Sequence, residues 1–109
     1  MNILKSKIYK KLFSRNAKSN ISYIEAKELY NNNNGIIIDV RNRDEYDEKH
    51  LSNAINIPLY EIDDIIERQV PDKNKIIMLY CKTGKRSKLA RKILIEKGYT
   101  NVYTINIKM

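Results

Sequence analysis

The stretch YCKTGKRS, residues 80–87, carries the only cysteine of the chain, Cys81, with Lys82, Lys85 and Arg86 just behind it. An apolar run, KIIML, precedes it, and a helix-like KLARKILIEKG follows. An inert, packed cysteine prefers apolar neighbours. A thiolate prefers cations, main-chain N–H groups and the positive end of a helix. Where a strand turns into a helix, a thiol meets all three, and its pKa falls below the free value of about 8.5. Cys81 is therefore a candidate nucleophile at neutral pH. Residues 81–86 must make that turn and can aim several N–H groups at one point, with Gly84 freeing the backbone to do so. No second thiol is present to resolve an oxidised or sulfurated Cys81, so anything it carries must be discharged from outside the chain.

The elements that must hold this turn are legible as a pattern. ISYIEAKELY opens with Ser22 and Glu25 three residues apart, a capping box that predicts a helix from Ser22 to about Tyr30. NNNNG predicts a turn that stops it. IIIDV, residues 36–40, is short and apolar on both parities, which suits a strand covered on both faces. RNRDEYDEKH allows a helical turn around Asp44 to Asp47, and AINIP forms a second short strand. LYEIDDIIERQV spaces Leu59, Ile62, Ile65, Ile66 and Val70 as an amphipathic helix ended by Pro71 and Asp72. KIIMLY, residues 75–80, is a third strand. Leu89, Ala90, Ile93 and Leu94 make the apolar face of the next helix, with Gly98 placed to cap it. NVYTINI is the last strand. The alternation predicts an α/β fold with a mostly parallel sheet of four to five strands and helices on both faces. Ligands of such sheets bind beyond the carboxyl ends of the strands, where Asp39, Val40 and Arg41 would share an edge with Cys81.

With 109 residues and 42% apolar content, the chain is one globular domain. The net charge of +8 is uneven: Lys5, Lys7, Lys10, Lys11, Arg15 and Lys18 precede residue 21 without a single acid, which leaves +2 for residues 21–109. That weak excess, with no stacking platform among the eight scattered tyrosines, speaks against nucleic acid as a partner. Residues 1–20 are expected to form a basic tail or short helix, with membrane contact the less favoured alternative. They lack the features of a signal peptide, and one unpaired cysteine suits a cytoplasmic protein. No cluster has metal-ligand spacing, and no cofactor is expected.

The longer motifs resemble those of the rhodanese family. IIIDVRNRDEYDEKHLSNAINIP matches the rhodanese pattern at Asp39, Arg41, Glu45, Tyr46, His50, Leu51, Ala54, Asn56 and Pro58, and YCKTGKRS matches its C-x-x-G-x-R-S loop. The resemblance covers about residues 21–105, the span expected to fold as a rhodanese-like domain reaching residue 109. It implies a sulfurtransferase in which Cys81 takes sulfane sulfur from an anionic donor such as thiosulfate and passes it to cyanide, a thiol or a sulfur-accepting protein. The persulfide would lie in a cradle of N–H groups from Lys82, Thr83, Gly84, Lys85 and Arg86, with Lys82 and Lys85 attracting the donor. Asp39, Arg41, Glu45 and Ser87 would support the loop, and Arg86 would either point into the site or, as the favoured alternative, pair with Asp39 or Glu45. His50 has a structural role in the family. The chain departs from the pattern in placing Lys49 and Asn53 where the family has glycine, and Asn is the residue that best tolerates the left-handed backbone. After INIKM the resemblance lacks a Gly-Gly turn and a tryptophan-bearing helix, so one wall of the site is expected to be open or supplied by the tail or a partner.

Three alternatives bear on these residues. A persulfide-carrying or redox-sensing binding module would use the same loop with little turnover. Phosphatases and arsenate reductases of this fold class place five residues between cysteine and arginine, against four between Cys81 and Arg86 here, which disfavours oxyanion chemistry. TGKRS is not a nucleotide loop, because Leu79 stands where the upstream glycine belongs and Arg86 where Ser or Thr would hold magnesium.

Overall fold

The computed structural model describes residues 18–109, so the expectation for the basic segment falls almost wholly outside the described residues. The elements are β1 (Asn20–Ser22), α1 (Tyr23–Asn33), β2 (Ile36–Asp39), α2 (Arg43–Glu48), β3 (Ala54–Asn56), α3 (Leu59–Gln69), β4 (Ile76–Tyr80), α4 (Lys85–Glu96) and β5 (Asn101–Asn106). Five parallel strands form one sheet in the order β1-β5-β4-β2-β3. Among the described residues no helix is long and apolar enough to cross a membrane.

The central strand β4 is buried along its whole length, because helices cover both sheet faces. Its side chains alternate between two cores. Ile77, Leu79 and Cys81 join Ile38, Ile62, Ile66, Ala90, Leu94 and Tyr99 beneath α3 and α4. Ile76, Met78 and Tyr80 join Ala26, Leu29, Ile37 and Tyr103 beneath α1. The two-residue period of a strand thus turns Cys81 toward the face that α4 covers.

One strand was not anticipated and two expectations are corrected. Asn20–Ser22 is an edge strand, pairing Asn20, Ile21 and Ser22 with Thr104, Ile105 and Asn106. Only Ile21 of the three is buried, so the segment offers no apolar run to read. The first helix does not stop near Tyr30 but continues through Asn33, whose side chain is buried, and Asn34 ends it in the left-handed region at φ 57°. Its start agrees with the sequence: Ser22 Oγ accepts from the Glu25 N–H, and Glu25 accepts from the Ser22 N–H. Leu89, assigned to the apolar face of α4, is 51% exposed, while the buried residues of that helix are Ser87, Ala90 and Leu94.

Beyond β2 the chain is tied down by a buried ion pair. Arg41 donates from Nε and Nη2 to the Asp39 carboxylate, at 2.7 Å for the shortest contact, and its main-chain N–H donates to the same group at 2.8 Å. Asp39 is fully buried and Arg41 is nearly so. Removing one member of such a pair strands a charge in a medium that solvates it poorly. Arg41→Ala is therefore expected to cost about 3–5 kcal/mol of unfolding free energy. Glu67→Ala, which removes exposed pairs with Lys73 and Lys97, should cost far less, because solvent screens them. Urea unfolding of the two variants checks the contrast, and similar costs would contradict it.

Candidate active site

The sulfur of Cys81 lies at the N-terminus of α4. Gly84 caps that helix with φ 99°, a conformation that L side chains rarely adopt, and this bend turns the chain back over the thiol. The Gly84 N–H donates to Sγ at 3.1 Å, and the Ser87 N–H donates to it at 3.3 Å. The Ser87 hydroxyl, 3.6 Å from Sγ, donates to the Gly84 carbonyl at 3.1 Å. In this state the thiol can offer its proton to Ser87 Oγ. Once the thiol ionises, the same hydroxyl can turn to donate to sulfur.

Two opposed effects act on the thiol. Burial pushes its pKa up, since Cys81 is only 2% exposed. Hydrogen bonds from the Ser87 side chain and from the N–H groups of Ser87, Gly84 and Thr83 push it down, and they win. The direction agrees with a thiolate stabilised by amides and by a helix N-terminus. The contributing residues differ in part from the sequence-based cradle at 82–86. Ser87, expected only as a support, donates directly to the sulfur, whereas the side chains of Lys82 and Lys85 are exposed and make no hydrogen bond to it among the described residues.

Arg86 does not enter the thiol pocket. Its Nη1 and Nη2 grip the Glu45 carboxylate at 2.7 Å and 3.1 Å, a two-pronged pair joining the cysteine loop to α2. Of the two partners the sequence left open, Glu45 is the one used, and Asp39 is committed to Arg41. The hydrogen bond from Arg86 comes first among the causes that hold the Glu45 carboxyl down at about 2, against a smaller opposing effect of burial. Arg86 is itself held above its ordinary value, first by Glu45, against burial, with the Glu45 charge and then the Cys81 thiolate adding to the effect.

The approach to the loop is fixed by residues whose roles the motif alone did not reveal. Asn56 Nδ2 donates to the carbonyls of Asp39 and Arg41, at 2.9 Å and 3.0 Å, which locks the end of β2 against β3. Tyr46 donates to the Ala54 carbonyl at 2.7 Å. His50 stacks on the Tyr46 ring with centroids 3.8 Å apart and reaches the Tyr46 carbonyl through Nδ1, a packing position. Asn53 takes φ 68°, as the missing glycine required, but Lys49 is extended and needs no glycine at all. Two depressions flank the cysteine loop. One is lined by Arg41, Glu45, Glu48, Lys49, Lys82 and Met109, whose N–H donates to the Lys82 carbonyl. The other is lined by Thr83, Gly84, Ser87 and Lys88 together with Asn20 and the end of β5, so it borders three residues whose amides act on the sulfur.

The Glu45–Arg86 pair carries a pH signature. Glu45 titrates near 2 in the folded chain, against about 4.3 when unfolded. Its contribution is complete above the unfolded value and fades as pH falls toward 2. Glu45→Gln, which keeps an acceptor for the Asn42 N–H but removes the charge, should cost roughly 1 kcal/mol at pH 7. The gap from wild type should close between about pH 4.5 and 2. Thermal melts across that range check this, and a gap independent of pH would contradict it.

Comparison with known proteins places this geometry. A profile of the rhodanese-like domain matches residues 22–106. The thiosulfate sulfurtransferase PspE of Escherichia coli is 48% identical over 65 residues, covering 60% of this chain and 62% of PspE, so the chain spans less than two thirds of that relative. The thiosulfate sulfurtransferase GlpE of Coxiella burnetii is 34% identical over 85 residues, 78% of each chain. A solved structure of an E. coli rhodanese with anions superposes with a TM-score of 0.60 at 42% identity, covering 68% of this chain and 85% of that one. With its five-stranded parallel sheet and its cysteine loop at the head of α4, the chain belongs to the rhodanese-like domain family.

Proposed function

We propose that the protein is a rhodanese-type sulfurtransferase that carries sulfane sulfur on Cys81. The observation that carries this reading is the pair of N–H donors from Gly84 and Ser87 on a buried sulfur at a helix N-terminus. That arrangement favours a sulfur anion over a neutral thiol. The names of PspE and GlpE, thiosulfate sulfurtransferases, support the same chemistry.

In the first half-reaction the Cys81 thiolate attacks the outer sulfur of an anionic donor such as thiosulfate. The donor's S–S bond breaks, sulfite leaves with the bonding pair, and Cys81 holds a persulfide. In the second, a thiophilic acceptor such as cyanide or a thiol attacks the outer sulfur, and Cys81 departs as thiolate. The N–H groups of Thr83, Gly84 and Ser87 lower the cost of each anionic sulfur species. Lys82 and Lys85, exposed at the loop, attract the anionic donor through the solvent rather than by direct contact with the thiol. The pair of Glu45 with Arg86 and that of Asp39 with Arg41 hold the loop and the neighbouring strand end in place. A single thiol with no resolving partner suits the reducing cytoplasm.

Incubation with thiosulfate and cyanide tests the proposal. Wild type should form thiocyanate, and Cys81→Ser should form none above the uncatalysed background. Sulfur uptake on Cys81 without thiocyanate would replace the enzyme with a persulfide carrier. Hydrolysis of an aryl phosphate without sulfur uptake would remove sulfur chemistry from the account.

A further inference from the structure

Apart from Lys85 at its first residue, the outward face of α4 is not used by the chemistry above. It presents Lys85, Lys88 and Lys92 at helical spacing, and all three are exposed. Lys82 continues the set on the loop before the helix. Among the described residues, none of these four lysines takes part in an ion pair. Elsewhere cations do find partners: Lys73 and Lys97 pair with acids of α3, and Arg91 donates to the Val102 carbonyl. The only acid of α4 is Glu96, its last residue.

Two apolar side chains flank this basic face. Leu89 is 51% exposed and Ile95 is 41% exposed. An exposed apolar anchor within a charged rim is the anatomy of a protein–protein contact. A polyanion such as RNA would want stacking partners, and α4 has no aromatic residue. Lys85 and Lys92 stand about 10 Å apart along the helix, a span that suits a small acidic patch on a protein. The position is also apt. Lys88 lines the depression that borders Thr83, Gly84 and Ser87, whose N–H groups act on the sulfur.

From these observations we infer that the outer face of α4 is the docking surface for a protein acceptor, one that presents a cysteine thiol within an acidic surface bearing an apolar notch for Leu89. The inference rests on the sulfur transfer proposed above and names its acceptor class. In the transfer, the partner's thiolate attacks the outer sulfur of the Cys81 persulfide. The S–S bond at Cys81 breaks as a new one forms on the partner cysteine, and Cys81 leaves as thiolate. Any proton on the outer sulfur travels with it, and sulfur moves without an external oxidant or reductant.

Short synthetic peptides with one cysteine and one leucine serve as probes, one flanked by Asp and Glu and a matched one flanked by Lys. With persulfide-loaded wild type, the acidic peptide should show kcat/KM roughly tenfold above the basic one at low salt. Lys92→Glu should sharply reduce that preference, and Leu89→Ser should lower the rate for the acidic peptide, while the rate with cyanide stays unchanged in both variants. Binding is read separately by anisotropy, with Cys81→Ser protein and a serine version of the acidic peptide. That arm needs no chemistry, so a failed cyanide reaction with intact, lysine-dependent binding would sink the sulfurtransferase and spare the surface. Equal rates for both peptides in wild type would overturn the inference. So would a poly(U) RNA that displaces the acidic peptide and depends on the lysines but not on Leu89, because the face would then recognise a polyanion.

Discussion

A buried sulfur held by main-chain amides is the constraint on which the rest of this protein depends. Burial alone would keep the Cys81 thiol neutral and inert. The Ser87 hydroxyl and the N–H groups of Ser87 and Gly84 oppose that effect and lower the thiol's pKa, and Gly84 helps bring them there by taking a left-handed backbone at the head of α4. No side-chain base is needed in such a site. The charge is stabilised largely by amides already fixed by the helix, so little backbone reorganisation accompanies ionisation.

The remainder of the fold keeps that arrangement in place. The alternation of β4 turns Cys81 toward α4, and full burial of the strand leaves it no freedom to slip. The Asp39–Arg41 pair and Asn56 fix the neighbouring strand end, while Glu45 holds the loop from outside through Arg86. Asp39, Arg41, Glu45 and Arg86 are thus spent on one another, which leaves the sulfur to the loop amides and Ser87. The lysines with no such partner, on the outer face of α4, are free for a partner to use.

Much of this was legible in the sequence, for identifiable reasons. Continuous apolar runs such as IIIDV and KIIMLY suit strands covered on both faces, and the Ser22–Glu25 capping box marks the start of α1 to within one residue, with Ser22 as its N-cap. The candidate nucleophile follows from a lone cysteine in a cationic turn. What stayed hidden depends on tertiary context. Strand β1 is three residues with one buried side chain, and its existence is decided by β5, more than eighty positions away. Asn31 to Asn33 are turn formers that nonetheless continue a helix, with Asn33 buried at its end. Leu89 satisfies an apolar period yet lies half exposed, because Ser87, Ala90 and Leu94 already fill the contact with the sheet. The choice of Glu45 over Asp39 for Arg86 needed the placement of α2. The direct role of Ser87 needed the exact start of α4.

The rate of Cys81 alkylation by iodoacetamide as a function of pH tests the central claim most directly, because Cys81 is the only thiol. The account predicts an inflection below the ordinary thiol value of about 8.5, moving upward in Ser87→Ala, which loses the hydroxyl that can turn toward the thiolate. An inflection at or above that value in the folded wild-type protein would contradict it.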